Sequence, residues 1–348
     1  MIATDPAIEA EAERLLSSLM HVECDPKGRT WNLETCREIA PLTLEINRLK
    51  KEKNAVILTH SYVEPEIVYG VGDFKGDSYY LSKMAKESSS EIILFAGVVF
   101  MAETAKILSP ESTVIVPDSG SGCSLADSIT GEEVKKLKAL HPEAAVVCYI
   151  NSTAQVKAEC DVCVTSGNVY DIVANLPEKQ ILFVPDRLMA DNVRAELKKR
   201  GVVKEIISSD GTCVVHEEFE VSQIDQARAQ FPGLKVVSHP ECTEEVAAAS
   251  DFVGSTGEMM KYVKSTQAPY FLMLTECGLV GRLEVEDPEK NFIGGCRLCP
   301  YMKLNSLEKI RDALKSPRPD QIVTLDEDLR LRAARCIDRM FELTPASK

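Results

Sequence analysis

The sequence predicts an α/β protein of three similar αβα (Rossmann-like) domains around a pseudo-threefold axis. Three observations predict it. First, short apolar runs that end in polar tips recur at a nearly constant interval. Residues 55–58 run into Thr59-His60-Ser61-Tyr62, residues 145–148 into Tyr149-Ile150-Asn151-Ser152, and residues 235–238 into His239-Pro240-Glu241. His60, Tyr149 and His239 are 89 and 90 residues apart. Second, strand-like and helix-like stretches alternate after each tip, which favours parallel sheets flanked by helices with right-handed crossovers. Third, each repeat closes on a cysteine. Cys123 lies 63 residues after His60, Cys213 lies 64 after Tyr149, and Cys299 lies 60 after His239. The copies differ too much for a solenoid array, and each is large enough for its own small layered core.

Composition narrows the function classes. The chain has 348 residues, a net charge of −14 and no basic patch interleaved with aromatics, which argues against nucleic acid as a partner. An anionic small substrate stays possible, because backbone N–H groups at helix N-termini can hold it. No run reaches the length of a membrane span. The start, Met1-Ile2-Ala3-Thr4-Asp5-Pro6, lacks the basic and apolar regions of a secretory leader. The expected location is the cytoplasm, or a plastid if a transit peptide has been removed. Twelve cysteines in such a chain point to metal or redox chemistry and away from a disulfide framework.

Taken in order, residues 5–21 read as an amphipathic helix, with Asp5 as N-cap and Pro6 at the first helical position. Ile8, Leu15, Leu16, Leu19 and Met20 would form its apolar stripe. Residues 22–32 read as a loop and residues 35–53 as a second helix with a solvated charged end. The first repeat continues with strands at 91–97 and 113–116, the second at 180–184 and 204–208, and the third at 270–274 and 291–293. The domain boundaries follow: a helical extension 1–54, then αβα domains 55–130, 131–220 and 221–301, with 302–348 packing back on the first. A small polar pair precedes a helical stretch in each repeat: Asp77-Ser78, Thr165-Ser166 and Ser255-Thr256. Ser255 with Glu258 has the spacing of a capping box. These helix starts suit anions. Lys106 is an anion partner by charge, although its helical setting serves structure equally.

Two CxxC pairs, Cys160–Cys163 and Cys296–Cys299, would suit a four-cysteine zinc site. Cys160-Asp161-Val162-Cys163, however, lies in a strand-like run and not in the turn a zinc knuckle uses. One cysteine per repeat is the more regular set. It offers three thiolates to one metal centre and leaves a fourth position open, which suits an iron–sulfur cluster or zinc. At the third repeat Cys296 stands close enough to replace Cys299. Cys24, Cys36, Cys148, Cys242, Cys277 and Cys336 read as buried or incidental thiols.

At these residues the sequence resembles the quinolinate synthases. The resemblance runs from about residue 55 to residue 310. It rests on His60-Ser61-Tyr62, Gly76-Asp77-Ser78, Phe100-Met101-Ala102-Glu103-Thr104-Ala105-Lys106, Gly122-Cys123-Ser124-Leu125-Ala126-Asp127 and Tyr149-Ile150-Asn151. It continues with Thr165-Ser166, Cys213-Val214-Val215-His216-Glu217-Glu218-Phe219, His239-Pro240-Glu241-Cys242, Asp251-Phe252-Val253-Gly254-Ser255-Thr256 and Cys299-Pro300-Tyr301-Met302-Lys303-Leu304-Asn305. Residues 1–40 look like an extension beyond the shortest members.

The resemblance implies three αβα domains around a central [4Fe–4S] cluster held by Cys123, Cys213 and Cys299. The third ligand precedes proline in the family run, which selects Cys299 over Cys296. Some members carry a further cysteine where this chain has Ile293, so any thiol role there is absent. The implied reaction condenses iminoaspartate with dihydroxyacetone phosphate to quinolinate, with loss of phosphate and two waters, and with the open iron as Lewis acid. It implies a functional link to L-aspartate oxidase or aspartate dehydrogenase. Tyr62, His216 and Glu218 match as proton-transfer groups. His60, Tyr149, Asn151 and His239 would hydrogen-bond the substrate, and Ser78, Ser166 and Thr256 would hold its phosphate and carboxylates. The competing readings are a zinc-stabilised, non-catalytic binding protein built on the CxxC pairs, and an electron-transfer iron–sulfur protein with four protein ligands.

Overall fold

A computed structural model of the chain describes residues 5–23, 25, 27–294 and 297–345. Cys24 and Cys296 lie outside the described residues. The fold is α/β, with three four-stranded sheets of one topology. The first contains β1 (Ala55–His60), β2 (Phe74–Gly76), β3 (Ile92–Ala96) and β4 (Thr113–Ile115), in the order β2-β1-β3-β4, all parallel. The second contains β5 (Ala144–Tyr149), β6 (Val162–Val164), β7 (Gln180–Val184) and β8 (Glu205–Ser208), in the order β6-β5-β7-β8, again parallel. The third contains β9 (Lys235–Ser238), β10 (Phe252–Val253), β11 (Phe271–Leu274) and β12 (Phe292–Ile293), in the order β10-β9-β11-β12. Its β9 runs parallel to β10 and β11.

The repeated order has a repeated cause. Strands buried on both faces read as continuous apolar runs, and β1, β5 and β9 are buried along most of their length. Each pairs with the strand two crossovers on, so its C-terminal end sits mid-sheet, where open α/β folds place their chemistry. A side chain repeats as well. Asp73, Asp161 and Asp251 each accept a backbone N–H at the start of the first strand of their repeat, from Ile57 at 2.8 Å, Val146 at 2.8 Å and Val236 at 2.9 Å.

The chain forms two compact units, residues 1–121 with 276–323, and residues 122–275 with 324–348. In the first, α1 (Pro6–Leu19) and α2 (Leu33–Glu52) form a hairpin on a small core of Ala12, Leu15, Leu19, Trp31, Cys36 and Ala40. Asp5 caps α1 by accepting the Ala7 N–H at 2.9 Å. Met20 is not part of the stripe. It is 57% exposed, because the helix stops at Leu19 and its cap residue turns outward, while Ala12 fills the buried face. Lys106 donates to the carbonyls of Pro110 and Ser112, at 2.7 and 2.9 Å, so it closes the end of its own helix.

The carboxy-terminal segment divides between the units. The helix Leu307–Lys315 lies against α2 and β3. The helix Glu327–Leu343 lies instead against β6 and the helix Ala154–Lys157. Arg332 pairs with Glu159 at 2.6 Å, and Cys336 Sγ sits 3.5 Å from Cys148 Sγ. The helix Glu327–Leu343 therefore packs on the second sheet, whereas the sequence expectation put all of 302–348 on the first domain. The reason is an apolar face, Ala333, Cys336, Ile337 and Met340, which is buried there.

Candidate active site

In the unit formed by residues 122–275 and 324–348, the ends of β5 and β9 gather buried polar groups around one carboxylate. Glu241 follows β9 and is buried. Its Oε1 accepts the Tyr149 hydroxyl at 2.6 Å and the Asn151 amide at 3.3 Å. Its Oε2 lies 2.8 Å from His216 Nδ1. His216 Nε2 meets Thr275 Oγ1 at 3.0 Å, and its Nδ1 lies 3.2 Å from Cys213 Sγ. The His239 ring stacks on His216 with centroids 4.6 Å apart. Tyr149, Asn151, His216 and His239 are thus brought together. Cys213 is tied to Cys123 by the intervening loop, where Ser124 Oγ donates to the Thr212 carbonyl at 3.1 Å and accepts the Val214 N–H at 3.2 Å.

The anion-binding candidates sort differently. Thr256 opens the helix Thr256–Ser265, whose N-cap Ser255 forms the expected capping box with Glu258. The Thr256 hydroxyl is buried and has no hydrogen-bond partner among the described residues. A buried orphan hydroxyl is costly unless a ligand satisfies it, so Thr256 fits an anion site. Ser166 is not at a helix start. The helix Val169–Asn175 begins later, and Asn168, the residue before it, accepts the Thr165 N–H at 2.6 Å. The residue after Ser166, Gly167, does lie against Ser255, where a Cβ would stand 3.2 Å from Ser255 Oγ.

In the unit formed by residues 1–121 and 276–323, His60 and Tyr62 meet edge to face at 4.6 Å, and His60 Nδ1 accepts the Tyr62 backbone N–H at 3.2 Å. Ser78 is the first residue of the helix Ser78–Glu87, capped by Asp77. Cys299 is half-buried, and its N–H donates to Glu276 Oε1 at 3.2 Å.

The cysteines separate cleanly. Of the nine free cysteines described, only Cys123, Cys213 and Cys299 are partly exposed, and the other six are buried. The family model for quinolinate synthetase A protein matches residues 44–342. A quinolinate synthase of Caulobacter vibrioides is 41% identical over 98% of this chain and 90% of its own length. Quinolinate synthase 1 of Mesorhizobium japonicum is 44% identical over 85% of this chain and 89% of its own, and a quinolinate synthase of Xylella fastidiosa is 45% identical over 86% of each.

The chain belongs to the quinolinate synthase family.

As a quinolinate synthase it is an enzyme of NAD biosynthesis, which removes the non-catalytic zinc-protein reading. The family model starts inside α2, while the Caulobacter match extends over nearly the whole chain and so reaches into the α1–α2 segment. Cys160 and Cys163 do not make a zinc knuckle. Cys163 is inside β6, and the Cys160 thiol donates to the Val156 carbonyl at 3.1 Å. No helix of the described residues is long and apolar enough to cross a membrane.

The residues present fit a cluster by their chemistry. Burial, then the nearby Glu241 carboxylate and Cys123 thiol, hold the Cys213 thiol well above its usual pKa. Burial raises Cys299 too, with a smaller push from Glu276. Thiols crowded with each other and with carboxylates ionise when a cationic metal centre is there to receive them.

Glu218 is exposed at the end of a 3₁₀ turn, His216–Glu218. The carboxylate 2.8 Å from His216 Nδ1 is Glu241. Sequence reading passed it over as part of a tip, although its place between His239 and Cys242 was the available signal.

Burial pushes the His239 imidazole from 6.5 down to about 3, with Glu241 opposing and the His216 ring assisting. The folded protein therefore leaves His239 neutral where the unfolded chain would protonate it. Stability is complete above pH about 6.5 and falls as pH drops toward about 3, by up to about 1.4 kcal/mol per pH unit from this group. Urea unfolding between pH 7 and about 4 is expected to show this slope, reduced in His239→Gln. Equal slopes in the two proteins would contradict the assignment.

Proposed function

We propose that this quinolinate synthase condenses iminoaspartate with dihydroxyacetone phosphate, releasing phosphate and two waters, and that Cys123, Cys213 and Cys299 hold a [4Fe–4S] cluster at a pseudo-threefold centre of three αβα domains. The observation that carries this reading is the selective exposure, among the described free cysteines, of one in each repeat. When bound, the cluster supplies an iron without a protein ligand, a Lewis acid toward a leaving hydroxyl.

The chain's own residues supply binding and proton transfer. Thr256 and Ser78, at starts of ten-residue helices, direct backbone N–H groups toward phosphate or carboxylate oxygens, and Ser166 adds a hydroxyl. Glu241, charged and held by Tyr149, Asn151 and His216, fixes the His216 ring for proton transfer with substrate. Burial raises the Glu241 pKa, but the His216 and His239 rings and the His216 and Tyr149 hydrogen bonds outweigh this and hold it well below the usual carboxylate range. His216 exchanges the proton with the substrate. Tyr62 and His60 serve the same chemistry from their own unit. The expected pathway neighbour is an L-aspartate oxidase or aspartate dehydrogenase, because iminoaspartate must be supplied by oxidation of aspartate.

A second reading has one observation behind it. Single ligand atoms of Cys213, His216 and Glu241 all lie within 4.8 Å of one another, which suits one divalent ion such as zinc. The deciding experiment is anaerobic turnover, with iminoaspartate generated in place and dihydroxyacetone phosphate added. The account expects quinolinate and phosphate in equal amounts from iron-loaded protein. Equal turnover by zinc-loaded, iron-free protein would overturn it.

A further inference from the structure

Cys299 hangs on a buried ion pair. Glu276 is fully buried. Its Oε1 accepts the Cys299 N–H at 3.2 Å, and its Oε2 accepts the Gly278 N–H at 2.6 Å. Lys303 Nζ lies 3.0 Å from Glu276 Oε1 and donates to the Tyr62 backbone carbonyl at 2.6 Å. Gly278 closes the ring of contacts. A Cβ there would lie 2.7 Å from Tyr62 Cα, so only glycine lets the turn after Glu276 rest on the Tyr62 backbone. Lys303 serves a second acid. Glu64 is buried, and its Oε2 has no hydrogen-bond partner among the described residues. Burial raises the Glu64 pKa, and Lys303 is the largest charge opposing that rise.

We propose that Glu276 and Lys303 are a positioning pair, which fixes the Cys299 loop and the Tyr62 backbone against each other and so sets a cluster ligand and a proton-transfer residue with one device. The inference rests on the reading above in which Cys299 holds the cluster. Fold stability alone does not call for such a pair. A buried ion pair is often no more stabilising than apolar packing, whereas removing one partner leaves an uncompensated charge. What the pair adds is direction. The carboxylate has two lone-pair faces for the Cys299 and Gly278 N–H groups, and the ammonium carries several donors for Glu276 and Tyr62. Partners just outside a metal site that orient its ligands typically matter by about 10–100-fold in metal affinity or activity.

The test uses anaerobically prepared full-length holoenzyme as wild type, Glu276→Gln, Lys303→Met and the double variant. Three quantities are read: the rate of iron loss to a chelator, the cluster midpoint potential, and kcat with KM. Each variant is expected to lose iron about tenfold faster or more and to lose kcat with little change in KM. The potential is expected to rise in Glu276→Gln, which removes a negative charge, and to fall in Lys303→Met, which removes a positive one. A purely structural role would not give opposite signs. The double variant buries no unpaired charge from this pair, so it is the arm to read if a single variant fails to fold. Wild-type iron retention and kcat in the double variant would overturn the inference and leave the proposed function standing. A wild type that binds no cluster would overturn both.

Discussion

Cys213→Ser is expected to give a folded, colourless protein without turnover. Cys213 is one of three half-buried free cysteines among the described residues, and its thiol sits against His216 and close to Glu241. Serine keeps the size of the side chain but offers a harder, poorly ionised oxygen in place of a soft thiolate, and thiolates are what iron–sulfur clusters select. Turnover is expected to fall by more than about 10³-fold, the scale of losing a preorganised charge-stabilising group. Cys123→Ser and Cys299→Ser should behave alike. Cys160→Ser is the control, because that thiol is buried, donates to the Val156 carbonyl and neighbours the buried Cys148 thiol. Iron analysis and turnover on the four variants check this. Retained iron in Cys213→Ser, or iron loss in Cys160→Ser equal to that in Cys213→Ser, would contradict the ligand assignment.

Glu241→Gln is expected to keep the cluster and lose the chemistry. The wild-type carboxylate accepts from Tyr149, Asn151 and His216 at once. Glutamine has the same outline, but its amide nitrogen is a donor and must face at least one other donor. The folding cost is about 1–3 kcal/mol for a buried group left unsatisfied. The catalytic cost is larger, a fall in kcat of about 10²–10⁴-fold, the usual worth of acid–base catalysis, here by the His216 ring that Glu241 orients. The two effects separate in measurement: thermal unfolding reads the first and single-turnover quinolinate formation reads the second. A variant with wild-type kcat would remove Glu241 from proton transfer.

The repeat was legible because parallel strands buried on both faces are written as unbroken apolar runs, and β1, β5 and β9 are such runs. The caps were legible because Asp5 and Ser255 act on neighbours two or three residues away. Longer-range choices were not. Nothing near Glu327–Leu343 says that its apolar face is buried on the second sheet, since any sheet face would accept it. Glu218 and Glu241 are both acids close to a matched histidine in sequence. Only the 3₁₀ turn at His216–Glu218 and the packing of Tyr149 on Glu241 separate them. Asp73, Asp161 and Asp251 recur as the repeats do, but a lone acid before a strand has no pattern of its own until its backbone partner is seen.

The most direct measurement is the anaerobic visible spectrum with iron and sulfide analysis, taken before and after quinolinate is added, on protein produced with cluster-assembly machinery. The account predicts a brown protein with about four iron and four sulfide per chain, whose spectrum shifts when quinolinate occupies the open iron. A colourless, iron-free protein that still forms quinolinate would contradict it.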